Sequence, residues 1–352
     1  MPVYDRRGFH PILEKDHPHL FIDTCMQAWP DADYGNAHRH GCTAYCVTAW
    51  HPNKPTHIAV EDLMTWHHVA RNNPNLSVAV SASDIRAAKE RGDAVFILTA
   101  QDGDFIGNKL HRLEAFYRLG LRIMLPVYNS TNLIGDGCLD ITDRGLTRFG
   151  KLVVEESNRL GLLLDGTHVG KRTTMDMMAA SEAPVIFSHS NPTALFESPR
   201  NIDDEQIKAC AEKGGVIGVV PWGPLVFRTG ADNRPTLRDL VDAVDYIADL
   251  TGSVQNIGIG TDFSLGTYGT HEPDLWGKPV SLDPVIAPYA KHVRADLNAH
   301  ESFVAGFSSY PEITRVIEEL ETRNYSTSDI SSILGGNFLR VFEEVWKEVD
   351  NG

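Results

Sequence analysis

LGLLLDGTHVGKRTTMDMMAASEAPVIFSHS, residues 160–190, sets two short apolar runs on either side of a segment able to form a helix. The runs LGLLLDGTH (160–168) and APVIFSHS (183–190) are continuous rather than alternating, as expected of parallel strands buried on both faces. Each turns polar at its C-terminal end, with Asp165-Gly166-Thr167-His168 in the first and Ser188-His189-Ser190 in the second. Strand, helix and parallel strand make one βαβ unit, and the rest of the chain repeats it.

Upstream, the same kind of run occurs at LFIDTC (20–25), TAYCVTA (43–49), AVFILTAQ (94–101) and RIMLPVYN (122–129). Downstream it occurs at GVIGVVP (215–221) and NIGIGTDF (256–263). Helical segments fall between, among them EDLMTWHHVARNN (61–73), SDIRAAKERG (83–92), NKLHRLEAFYRLG (108–120) and TDRGLTRFGKLVVEESNRLG (142–161). DDEQIKACAEKGG and TLRDLVDAVDYIADLTG follow; Ser83 and Asp203 are candidate N-caps. Eight strands alternating with helices predict a (β/α)8 TIM barrel. An open doubly wound sheet is the alternative, weakened by the lack of a GxGxxG or P-loop sequence after any strand. Residues 264–310, rich in Gly, Pro, His and Tyr, are expected to form a long loop over the barrel mouth. PEITRVIEELETRNY and STSDISSILGGNFLRVFEEVWKEV read as two additional C-terminal helices closing the fold at about 311–349, the second interrupted at Gly335–Gly336. Residues 1–352 are therefore expected to form a single domain.

The 352 residues are 42% apolar and 22% charged, an ordinary globular balance, with a net charge of −15. Such a surface repels phosphate backbones and anionic lipid, so neither nucleic acid nor membrane is an expected partner. No run approaches the roughly 18 apolar residues of a membrane helix, and the N-terminus shows no apolar signal segment. Five cysteines, Cys25, Cys42, Cys46, Cys138 and Cys210, suit free thiols in a cytoplasmic protein. Cys42 and Cys46 lie in a strand and read as buried thiols.

In a parallel barrel the active site gathers where the strands end. His168 and His189 end neighbouring strands, which lie about 4.8 Å apart, so both imidazoles can reach one metal ion. Asp262 ends the eighth strand. Two histidines and an aspartate on strands five, six and eight are the pattern of metal-assisted hydrolases. The plainer alternative is a hydrogen-bonded histidine pair and a capping aspartate. His38 and His40 precede a strand and read as solvated or capping; His67 and His68 read as exposed on a helix. His271 is a further site candidate, and Trp222 is expected to wall the pocket.

At these residues the sequence resembles the membrane (renal) dipeptidase family, a branch of the metal-dependent amidohydrolase-type barrels. GLTRFGKLVVEESNRLGLLLDGTHVG, PVIFSHSNPTALFESPRNIDDEQIKACAEKGGVIGV, NIGIGTDF and YSTSDISSILGGNFLRVFEEVW carry the resemblance, which runs from about residue 20 to 348. It implies a zinc dipeptidase ancestry with two ions at the mouth in typical members. His168 and His189 match the histidines of the second metal site. Arg200, followed by Asn201 in SPRN, matches the arginine that holds the substrate carboxylate. Asp262 matches the aspartate that handles protons. The first motif departs from the family: Cys25 stands where a histidine ligand is expected and Gln27 where an aspartate is. Gln101 replaces the bridging glutamate, and Tyr128 replaces a histidine that polarises the substrate. Asp102, one residue along, is expected to point to the other strand face.

Two divalent ions about 3.5–4 Å apart need several carboxylates to offset their repulsion, and only Asp262 is a carboxylate at the matched positions. A Cys25 thiolate adds at most one more charge. The expectation is zinc or another divalent metal with one ion per chain, or none. Asp262 and Tyr128 are the candidate catalytic residues, and Arg200, Asn201 and Tyr128 the candidate substrate contacts. The expected activity is hydrolysis of an amide bond in a small carboxylate-bearing substrate, by a homodimer. The alternatives are a barrel lyase or decarboxylase, and a relative that binds a ligand without turnover. Cys25 is read as a ligand, a nucleophile or an inert thiol.

Overall fold

The computed structural model describes residues 15–29, 32–50, 52–266 and 300–348. The continuous apolar runs form strands because each must be buried on both faces. They are β1 (Phe21–Ala28), β2 (Cys42–Thr48), β4 (Ala94–Ala100), β5 (Leu121–Met124), β6 (Leu163–Asp165), β7 (Val185–Ile186), β8 (Ile217–Val219) and β9 (Ile257–Ile259). β3 (Leu76–Val78), a short strand beside β4, and β10 (Phe263–Leu265), which continues the β9 run, complete the set.

All pairings between these strands are parallel, in the order β10-β1-β2-β4-β5-β6-β7, with β8 paired to β9. A bridge between Phe187 and Ile217 and the bond from Ser190 N to Gly218 O carry β7 onto β8. Pairing of Met26 with Phe263 and the bond from Asp262 N to Cys25 O carry the β9–β10 run onto β1. The sheet thus closes as a (β/α)8 barrel, as the strand–helix alternation predicts.

Strand residues divide by parity. Ile22, Ala44, Cys46, Val95, Ile97, Ile123, Leu163, Ile186 and Val216 cluster inside the barrel with the helices that close its N-terminal end. Phe21, Tyr45, Val47, Phe96 and Leu98 face outward into the layer beneath the helices. Helix α8 (Leu237–Thr251) shows why these segments are helical: Leu237, Leu240, Val241, Val244 and Ile247 make one buried stripe. A Thr236–Asp239 capping box starts it, and Gly252, at φ 69°, stops it.

Two local expectations are corrected. The cap of α3 (Ala82–Arg91) is Ser81, paired with Asp84 in a capping box, because the helix begins a residue before Ser83. Asp203 caps α7 (Asp204–Glu212) as expected. The last helical segment is not broken at its glycines. It runs from Thr327–Ser331 through a π turn at Ser332–Gly336 into Asn337–Val345. A Cβ on Gly335 would lie 2.6 Å from Leu20 O, so the glycine lets the widened turn press against the start of β1. Most of the expected mouth loop, including His271, lies outside the described residues. No helix among the described residues is long and apolar enough to cross a membrane.

Candidate metal centre

The C-terminal strand ends bring together Cys25 and Gln27 from β1, Gln101 after β4, His168 after β6, His189 after β7 and Asp262 before β10. The β1 register slips by one residue between Asp23 and Met26 against β2. This bulge turns both Thr24 and Cys25 toward the far strands. Thr24 Oγ1 donates to Ser188 O (2.7 Å) and Ile259 O (3.0 Å), while Cys25 Sγ lies 3.5 Å from Asp262 Oδ1. Gln27 Nε2 donates to the same Asp262 oxygen at 3.2 Å, and Gln101 Nε2 donates to Cys25 Sγ at 3.4 Å.

His168 Nε2 and His189 Nε2 face each other at 3.2 Å. Ligand atoms of Cys25, His189 and Asp262 also lie within 4.8 Å of one another, so His189 stands between the histidine pair and the cysteine–aspartate pair. Burial, with the Arg200 charge second, holds both imidazoles well below their usual pKa range, so both are neutral. Burial also raises the Asp262 carboxyl, against the opposing pull of Gln27, Arg200 and Cys25. The Cys25 thiol is pushed well above its ordinary value by burial and by Asp262.

Two proton arrangements are open to the His168 ring. In one, Nδ1–H donates to Asn129 Oδ1 at 2.6 Å, and His189 Nδ1–H donates to Ser188 Oγ at 2.8 Å. Ser188 Oγ in turn donates to Thr167 Oγ1 at 3.4 Å. Both Nε2 lone pairs then converge. In the other, His168 Nδ1 accepts from Arg200 Nε at 3.1 Å and its Nε2–H donates to His189. A cation selects the first arrangement, in which each ligating imidazole gives its other N–H to a fixed acceptor. Two nitrogens at about 2.0–2.1 Å from a tetrahedral zinc lie roughly 3.3 Å apart, close to the spacing found. The histidine pair therefore fits a metal ion.

Arg200 is buried, with Nη1 on Ser190 Oγ (3.2 Å) and Nη2 on His189 O (3.0 Å). In either arrangement Nη1 and Nη2 each keep one further N–H for a ligand. Tyr128 stacks on His168, with ring centroids 4.1 Å apart. Asn201 does not join the cluster: its amide donates to Phe196 O and Leu225 O and accepts from Asn191 N. Asp102 faces away, accepting from Asn53 N. Trp222 packs partly buried beside Val220 and Leu225.

The other histidines stay apart from the cluster. His38 is not solvated: it is buried, with Nε2 2.7 Å from Gly92 O and Nδ1 3.1 Å from Cys42 O. His40 meets Asp16 at 2.6 Å, and His67 is half-buried on Leu119 O rather than exposed. Cys42 and Cys46 are buried in β2, as expected. Asn129, Ser188 and Thr167, which orient the imidazoles, have no signal in the sequence beyond being polar residues near strand ends. Their partners arise only when separate strands meet.

A parallel (β/α)8 barrel with two histidines facing each other after adjacent strands has the form of an amidohydrolase-type barrel. Within that class the chain belongs to the membrane dipeptidase family (peptidase family M19), whose profile it matches over residues 35–273 and 294–351. An uncharacterized dipeptidase of Schizosaccharomyces pombe is 28% identical over 287 residues, 80% of this chain and 60% of that protein. The chain thus spans less than two thirds of that relative's length. An amidohydrolase from Pseudomonas aeruginosa superposes with a TM-score of 0.79 and 30% identity, covering 94% of this chain and 97% of that one. A metallopeptidase from Rhodobacter sphaeroides, solved with a phosphinate mimic of the dipeptide L-Ala-D-Ala, superposes with a TM-score of 0.75 and 18% identity. It covers 93% of this chain and 99% of that one.

Proposed function

We propose that this chain is a hydrolase that cleaves an amide bond in a small carboxylate-bearing substrate, a dipeptide or dipeptide-like molecule, at a single-ion site. One observation carries the reading: two neutral imidazoles converge beside Asp262, while Gln27 and Gln101 aim N–H donors into the cluster instead of carboxylates. His168 and His189 would hold the ion, zinc or another divalent metal. When bound, such an ion supplies Lewis acidity, lowering the pKa of a water toward roughly 7 and polarising a carbonyl oxygen.

The chain's own groups do the rest. Asp262, whose buried carboxyl favours its protonated form more than usual, takes the proton from the attacking water and returns it to the leaving nitrogen. Arg200 offers its two remaining N–H groups to the substrate carboxylate. Tyr128, stacked on His168, donates its phenol as charge develops on the carbonyl oxygen. Free thiols support a cytoplasmic setting, and a two-fold homodimer is the assembly expected by default.

Metal analysis of the purified protein tests this directly. One equivalent of ion is expected, with its loss in His168→Ala and with dipeptide turnover that chelators abolish. Activity that survives chelation would favour the lyase reading. Ligand-induced stabilisation without turnover of any amide would favour the non-catalytic one.

A further inference from the structure

We propose that Cys25 is a thiolate ligand of the ion, so that Cys25, Asp262 and His189 make a centre selective for thiophilic metals. The inference rests on the single-ion reading and deepens it. A sulfur at about 2.3 Å and a carboxylate oxygen at about 2.0–2.2 Å from one tetrahedral ion lie roughly 3.5 Å apart. Cys25 Sγ and Asp262 Oδ1 are 3.5 Å apart. Ligand atoms of Cys25, Asp262 and His189 lie within 4.8 Å of one another, and His168 meets this set through His189.

The surrounding hydrogen bonds point the same way. Gln101 Nε2 donates to Cys25 Sγ and Gln27 Nε2 donates to Asp262 Oδ1, so each anionic ligand atom receives one amide N–H. Carboxylates at these two positions would instead repel both ligands. The thiolate and Asp262 together neutralise a divalent charge, which a second ion would upset. Two further carboxylates nearby bond to the backbone and side chains of strand ends. Asp23 accepts from Thr261 and Tyr310, and Asp165 accepts from Thr167 N and Ser188 N. The β1 bulge is what aims the thiol at the ion. A thiolate makes the site prefer zinc, cadmium or cobalt over magnesium or manganese. On binding, the Cys25 S–H proton passes to solvent and the sulfur lone pair forms the metal–sulfur bond, with no change of oxidation state.

The test is cobalt(II) loading of the full chain. A near-ultraviolet thiolate-to-cobalt charge-transfer band is expected at one ion per chain, and it is expected to vanish in Cys25→Ser. Gln101→Leu, which replaces the amide with an apolar group of similar size, is expected to shift the band and weaken binding by about 10–100-fold. Zinc-edge X-ray absorption of the unmutated protein is independent of any folding defect in a variant. It should show one sulfur at about 2.3 Å. A shell of nitrogen and oxygen alone, or a band that survives in Cys25→Ser, overturns the proposal. If the ion binds without sulfur and is lost in His168→Ala, the thiolate ligand fails while the single-ion reading stands. If no ion binds the unmutated chain, both fail.

Discussion

Asn129, His168 and Asp262 hold φ of 63°, 67° and 55°, the left-handed region that side chains other than glycine seldom adopt. Each sits at the end of a different strand, where the chain must turn sharply while presenting a side chain to the mouth. Such conformations cost of order 1–3 kcal/mol and persist where the surroundings fix them. Here hydrogen bonds to Cys25 O and between His168 and Asn129 do so. Asp102 is a second case of local cost. It is 1% exposed, and burial, reinforced by the neighbouring Asp104 carboxylate, pushes its acid up to about 7. In the unfolded chain an aspartate titrates near about 4. The folded state therefore binds the extra proton between those values, and stability falls as pH rises from about 4 to about 7, then stays low. Asp102→Asn is expected to raise the melting temperature by a few degrees at about pH 8 and to leave it nearly unchanged at about pH 4. Thermal unfolding of both proteins across this range checks it.

Strands β6 to β9 beside the candidate site are short, and their spacing depends on missing side chains. A Cβ on Gly218 of β8 would lie 2.0 Å from Ser188 O, and one on Gly260, just after β9, would meet the same oxygen at 2.0 Å. Both glycines let β8 and β9 close against the strand end that bears His189, where Thr24 also bonds. Gly218→Ala is expected to cost about 1–3 kcal/mol of stability by overpacking. It should also weaken metal binding, because the backbone that must yield carries His189. Urea unfolding and metal titration of the variant measure the two effects. At this scale the sequence is readable in part. The apolar runs mark all eight barrel strands, and Asp203 marks its helix. The one-residue bulge in β1 leaves no trace in composition, because it arises from the register of β1 against β2. Periodicity assigns no role to Gly335 or Gly218 for a similar reason: what each glycine makes room for belongs to another part of the chain.

Across the whole molecule, the C-terminal part is tied to the first strand. Tyr310 Oη donates to Asp23 Oδ2 at 2.5 Å, and Thr261 N and Oγ1 donate to the same carboxylate. Asp23 therefore links β1, the end of β9 and the closing segment beneath the candidate metal site. Tyr310→Phe is expected to lower stability by about 1–3 kcal/mol, since a buried carboxylate loses one donor while the ring's packing is kept. Calorimetry would show this as a lower melting temperature with an unchanged fold by circular dichroism.

By itself the sequence determined the barrel, through eight continuous apolar runs alternating with amphipathic helices. It also determined which polar residues stand at the strand ends. Tertiary structure alone decided how those residues are used. It turned Cys25 and both glutamine amides toward Asp262 and the histidines, and took up Asn201 in backbone hydrogen bonds. It also set His38 in a buried structural role. The physical reason is that strand pattern reports which residues are buried, a property of each segment. A metal site depends on distances between side chains that different strands supply, and those distances are fixed only when the barrel closes.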